Sequence, residues 1–197
     1  MTTKARATSA REMRNMFLAT TRAMFHKDET KERLKCFADH ANSFEQWLNW
    51  ELMFAFRQKC AWPTYSAHRE RPLPQGGYAD LAIYERDEPE STALIETKII
   101  WSNANCSKQI ASAVADQTRI RENGSGVGLL LIVAIAAQRR AERAALRVGN
   151  PNALLREFEK NAGRNIRSRE TLHELKAPDE QGWYIQPHVI VAAYKVR

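Results

Sequence analysis

With 197 residues, 44% of them hydrophobic and 27% charged, the chain has the length and composition of one globular domain with a sizeable core. Its formal net charge of +7 favours a polyanionic partner, nucleic acid or an acidic membrane surface. The 3 cysteines (Cys36, Cys60, Cys106) form no CxxC pair and no zinc spacing, so buried thiols in a reducing cytoplasm are expected. No apolar run approaches the roughly 20 residues that a membrane-crossing helix needs.

The N-terminal MTTKARATSAREMR is basic and lacks an apolar h-region, and it reads as a frayed start to the domain. Met13, Met16, Phe17, Thr20 and Met24 recur at helical spacing, which predicts a helix over about 8–26. HKDETKERLKCFADH predicts a second, mostly solvated helix with Leu34 and Phe37 turned inward. Ser43 opens SFEQ, a capping box with Gln46 at the third helical position, and its helix should run to about Lys59, with Pro63 beyond the end. TYSAHRE can be a strand and RPLPQGG a turn-rich break. YADLAIYE (78–85) and TALIETKII (92–100) are two strands close enough to pair across the charged turn RDEPES. NCSKQIASAVADQTRIRE is helical and NGSG stops it. VGLLLIVAIA is then a continuous apolar strand, buried on both faces, which completes a β-α-β unit. QRRAERAALR and PNALLREFEKNAG read as surface helices, and GWYIQPHVIVAAYKV as one or two closing strands. The expected organisation is a single α/β domain over 1–197. Its N-terminal helices cover about 8–40, its core about 43–136, and its C-terminal helices and strands about 138–197.

Two acids stand out on the hairpin. Asp80 and Glu96 are symmetric about position 88, so strands paired about that point set them opposite each other on one face. Facing carboxylates repel, and a divalent cation between them removes the objection, because hard oxygen ligands suit Mg²⁺ or Mn²⁺. Lys98 projects from the same face as Glu96 and can stabilise charge developing on a phosphate or help to position a water. A rival reading makes Glu96 and Lys98 a surface ion pair at a solvent-facing end of the strand.

The order of Asp80 in ADL, a hairpin, then IETK with Glu96 and Lys98 resembles the PD-(D/E)xK nuclease superfamily, the restriction-endonuclease-like fold. The resemblance covers about half the chain, residues 43 to 136, and departs from the nominal motif at Ala79, where the superfamily has proline. It implies a mixed sheet flanked by helices in the order αβββαβ, here with extra N-terminal helices. It also implies a metal-dependent hydrolase of phosphodiester bonds, a DNA endonuclease of a defence, mobile-element or repair system, in which Asp80 and Glu96 hold Mg²⁺, with Mn²⁺ as a substitute. A homodimer or a protein partner is a further expectation. The alternative is a catalytically silent protein of the same fold that binds nucleic acid or a protein.

On the third helix, Phe44, Trp47, Leu48 and Ala55 define an apolar face with Glu51 at its centre and Glu45 off to its side. Glu51 is either a structural salt-bridge partner or a third metal ligand, and the superfamily's helical glutamate matches its position. Gln117, on the stripe of Ile110 and Val114, and Lys108 and Gln109 in the same helix's first turn are accessory candidates, or else a polar edge of the core and solvated residues. The 5 histidines form no HxH or HExxH pattern. His188 reads as a hydrogen-bonded core residue, and His68 could approach the site. Arg69, Arg71, Arg119 and Arg121, with runs at 139–147 and 164–169, are candidate phosphate contacts, or solvated helix faces. DNA is favoured over RNA, no membrane is expected, and the cytoplasm is the expected location.

Overall fold

The computed structural model describes residues 10–40, 44–59, 65–85, 91–123, 126–139, 150–176 and 184–196. Three helices come first: α1 (Ala10–Phe25), α2 (Asp28–His40) and α3 (Glu45–Lys59). A meander follows, β1 (Tyr65–Pro72), β2 (Tyr78–Glu85) and β3 (Ser91–Trp101), then α4 (Cys106–Asn123) and β4 (Val127–Arg139). The chain closes with α5 (Pro151–Ala162), a 3₁₀ turn (Gly163–Asn165), β5 (Ile166–Lys176) and β6 (Tyr184–Val196). The strands form one mixed six-stranded sheet in the order β1-β2-β3-β4-β6-β5. Only β3 and β4 pair in parallel, with α4 as the crossover, and every other pair is antiparallel.

The period-2 alternation of the strands feeds two cores. On β3, Ala93, Ile95, Ile99 and Trp101 pack into the layer built with α1, α2 and α3. Leu94 and Ile100 pack into the layer under α4 and α5. On β4, Leu129, Leu131 and Val133 face the first layer and Leu130, Ile132 and Ala134 the second, so that strand is apolar on both sides. The predicted strands 78–85 and 92–100 coincide with β2 and β3 to within a residue, and the αβββαβ order holds from α3 to β4. Helix α4 lies so close to β4 that a Cβ on Gly128 would stand 2.5 Å from Ile120 Cγ2.

Four expectations are corrected. Gln138 and Arg139 extend β4 instead of starting a surface helix, while the rest of that predicted helix lies outside the described residues. Arg169 belongs to an unexpected strand, β5, which carries charged residues because it is the sheet's outer edge. Cys36 is exposed, not buried, and Cys106 is half-buried; Cys60 lies outside the described residues, as does the Ser43 cap. The buried stripe of α3 runs through Leu48, Asn49, Leu52, Met53 and Phe56, and Glu51 lies beside it. Among the described residues no helix is long and apolar enough to cross a membrane.

Candidate active site

Strand pairing fixes the first element. Leu81 sits opposite Ile95 and Ala82 opposite Leu94, the register that also sets Asp80 against Glu96. The ladder ends there, because Asp80 itself takes the next donor. Its Oδ2 accepts the Thr97 N–H at 2.8 Å, and the Thr97 hydroxyl lies 3.1 Å from the same oxygen. Thr97 points toward α3, where its hydroxyl is 2.6 Å from Asn49 Oδ1. The Asp80 carboxylate is thereby clamped through one oxygen and keeps the other for further partners.

Glu96 and Lys98 project to the opposite side, under α4. Glu96 is 2% exposed, which removes the reading of a surface pair with Lys98. Its Oε1 accepts from Arg119 Nη2 at 3.0 Å and Nε at 3.2 Å. Arg119 also reaches Asp116 Oδ1 at 2.6 Å, and Lys98 Nζ lies 3.0 Å from Asp116 Oδ2 and 3.2 Å from Glu45 Oε1. Helix α4 thus offers Asp116 and Arg119 one turn apart to β3, and the first turn of α3 offers Glu45.

Four carboxylates (Glu45, Asp80, Glu96, Asp116) meet two cations (Lys98, Arg119), and the protonation equilibria register the imbalance. Burial first, then the Asp80 carboxylate, pushes Glu96 up to about 8 against the pull of Arg119. Burial also raises Glu45, with Lys98 opposing. Burial pulls Lys98 down, yet Asp116 and Glu45 outweigh it and the ammonium ends above its ordinary value. Lys98 is therefore a firm positive charge at neutral pH, suited to stabilising an anion and unsuited to taking a proton.

A cleft of about 270 Å³ opens beside this network, lined by Glu45, Lys98, Ile99, Trp101, Lys108 and Ser112 among others. It lies at the start of α4, whose first turn carries no acid, and its charged lining is Lys98, Lys108 and Glu45. On the far side, Gln75 in the β1–β2 turn donates its N–H to Asn123 Oδ1 (2.8 Å) and its amide to Glu122 O (3.0 Å), docking the hairpin tip on α4. Gly77, at φ +80, leaves room for Arg119, because a Cβ would stand 3.2 Å from its Cδ.

The remaining predicted residues are distributed as follows. Glu51 pairs with Arg33 of α2 at 2.7 Å, so it ties two helices together and Glu45 is the α3 acid that reaches the network. The physical reason is the true buried stripe: Glu45 is one turn before Asn49 on it. Gln109 accepts the Trp101 N–H at 2.8 Å and fastens α4 to the end of β3, while Lys108 lines the cleft. Gln117 is fully buried and neither of its amide atoms has a partner. His68 of β1 is edge-on to the Tyr84 ring of β2, and burial lowers its pKa. His188 is half-buried and bonds Glu174 of β5 at 2.8 Å. Arg119, expected on phosphate, is committed to Glu96 and Asp116, and Arg121 lies 3.7 Å from Glu122.

Asn49, Thr97 and Asp116 were not expected at the site. Asp116 had a usable signal, since it shares the α4 face of Ile110, Ala113 and Ile120. Among the described residues no three Asp, Glu, His or Cys side chains converge closely enough to enclose an ion. A Mg²⁺ ion, which commonly uses one or two carboxylates and completes its shell with water and phosphate oxygens, would need only Asp80 and Glu96. Compared with known proteins, the chain matches no family model and no curated protein.

Proposed function

We propose that this protein is a metal-dependent nuclease in which Asp80 and Glu96 hold Mg²⁺ and Lys98 steadies the phosphate under attack. The observation that carries the reading is the surplus of acid: four carboxylates against two cations, in a network where Glu96 is 2% exposed. With all four carboxylates ionised the uncompensated charge of that set is two negative units, the complement of one divalent cation, and the ion would have to displace the proton that Glu96 holds at neutral pH. The bound ion would supply Lewis-acid activation of the phosphodiester and of a water.

The chain's own residues divide the remaining work. Thr97 orients Asp80 through two contacts to one oxygen. Arg119 holds Glu96 in place with a forked pair of hydrogen bonds. Lys98, kept cationic by Asp116 and Glu45, stabilises charge that builds on the non-bridging oxygens in an in-line displacement. Glu45, its pKa raised by burial and its carboxyl on the cleft, is suited to accept a proton from the attacking water. DNA is the favoured substrate, and a defence, mobile-element or repair setting goes with it.

A second reading has its own support. Arg119 alone gives Glu96 two hydrogen bonds, so the network can be self-sufficient in a silent protein of this fold that binds nucleic acid or a protein. One assay separates the two. Supercoiled, linear duplex and single-stranded DNA are incubated with Mg²⁺, Mn²⁺ or EDTA, beside Asp80→Asn and Lys98→Ala. The nuclease reading expects metal-dependent cutting that both variants lose. Binding without cutting by the unaltered protein selects the silent one.

A further inference from the structure

We infer that the β1 edge of the sheet is a stacking platform for single-stranded nucleic acid, an inference that rests on the nuclease reading for its biological sense and names that site's substrate form. Trp50 and Phe54, one turn apart on the outer face of α3, are 48% and 54% exposed, with ring centroids 6.1 Å apart at 30°. Adjacent exposed aromatic rings are unlike the singly scattered apolar residues of an ordinary surface. Arg69 of β1 places its guanidinium 4.4 Å from the Trp50 centroid, where it backs the ring while its Nη2 pairs with Glu70 Oε1 at 3.2 Å.

A second stack stands on the other side of the strand. Arg71 lies 5.2 Å from the Tyr84 ring and donates from Nε to the Tyr84 hydroxyl at 3.2 Å, with His68 edge-on to the same ring. Residues two apart on a regular strand share a face, yet Arg69 and Arg71 do not. Glu70 between them has φ 52, the only non-glycine positive φ among the described residues, and it turns the strand so that one arginine goes to each stack. The register that pairs Arg69 with Leu81 and Arg71 with Ala79 sets Glu70 against Asp80. Strand β1 is thus the immediate neighbour of the strand that carries the proposed metal ligand.

Rings alternating with guanidinium groups suit a strand whose bases are unstacked. Aromatic side chains take base faces without regard to sequence, and the exposed Arg57 and Arg71 meet the phosphates. Duplex DNA hides those base faces except at its ends. Aromatic and arginine side chains are also common at protein interfaces, and it is the chain's formal net charge of +7 that favours a polyanionic occupant here.

The test is fluorescence anisotropy in EDTA with labelled oligo(dT) and a mixed-sequence duplex of equal length, using the full chain. Working in EDTA makes the result independent of cutting. Oligo(dT) is expected to bind at least about 10-fold more tightly than duplex, and Trp50→Ala to weaken it about 10-fold. Trp50→Phe retains the affinity, which guards against mere misfolding of the alanine variant, and loses the part of the tryptophan quenching that Trp50 contributes. Arg57→Ala and Arg71→Ala flatten the salt dependence. Binding through Trp50 supports the platform even if no DNA is cut. Equal affinity for duplex, an unchanged Trp50→Ala, or concentration-dependent self-association lost in Trp50→Ala overturns it even if plasmid is cut.

Discussion

Strands β3 and β4 lie side by side, parallel and in register, yet they have opposite characters at the same depth. Glu96 is beside Leu130, Thr97 beside Leu131 and Lys98 beside Ile132. Leu130, Leu131 and Ile132 are fully buried, and so nearly is Glu96. The fold therefore accepts plain aliphatic residues at this level of the sheet. What differs is the element overhead: over β3, α4 presents Asp116 and Arg119, and α3 adds Glu45. Buried ion pairs can often be replaced by apolar residues without loss of stability, and under the proposed function the charges of β3 are retained for use.

That contrast can be broken or sharpened by substitution. The largest effect is expected on the apolar strand: Ile132→Ala should cost about 2–5 kcal/mol, read by urea unfolding, with cutting per folded molecule unchanged. Next comes replacement of the network as a unit, Glu45→Gln, Glu96→Leu, Lys98→Ile, Asp116→Ala and Arg119→Leu together. Stability should stay level or rise by up to about 4 kcal/mol while cutting vanishes; a loss comparable to that of Ile132→Ala would make the charges structural after all.

A smaller effect is expected from pH. Glu96, raised from 4.5 to about 8, binds a proton in the folded chain that the unfolded chain has already released, so stability falls as pH rises through that window. The slope approaches ~1.4 kcal/mol per unit at most, and Glu45 adds to it in the same direction. Glu96→Gln should flatten the profile in a series of unfolding curves. Mg²⁺ competes with the same proton, so titration calorimetry should show affinity rising toward pH 8. The smallest effect is Glu51→Ala: losing its contact with Arg33 should change stability by under about 1 kcal/mol and leave cutting intact, whereas Glu45→Gln should slow it.

The hairpin was legible because its signals are local: alternation marks both strands, and symmetry about position 88 sets the register found at Leu81 and Ile95. The helical contributions were less so. On α3 the aromatic Trp47 drew the apolar face away from the stripe that Leu52, Met53 and Phe56 bury, which promoted Glu51 over Glu45. Trp47 instead packs among Phe37 and Phe44, a contact between helices that no single-helix period reveals. Asp116 and Arg119 matter only because a crossover helix lays them over β3, and β5 hid because a charged edge strand lacks an apolar period.

The clamp between Asp80 and Thr97 has a consequence for how the site could be inherited. Every side chain of the network lies between Glu45 and Arg119, while β4, β5, α5 and β6 contribute none of them. The later part of the chain works as a wall against which an earlier cassette is held in shape. Sequence drift or segment exchange in that wall should be tolerated wherever volume and the close seat of Ile120 on Gly128 are preserved. The cassette itself has little such freedom, since its side chains answer to one another across different elements.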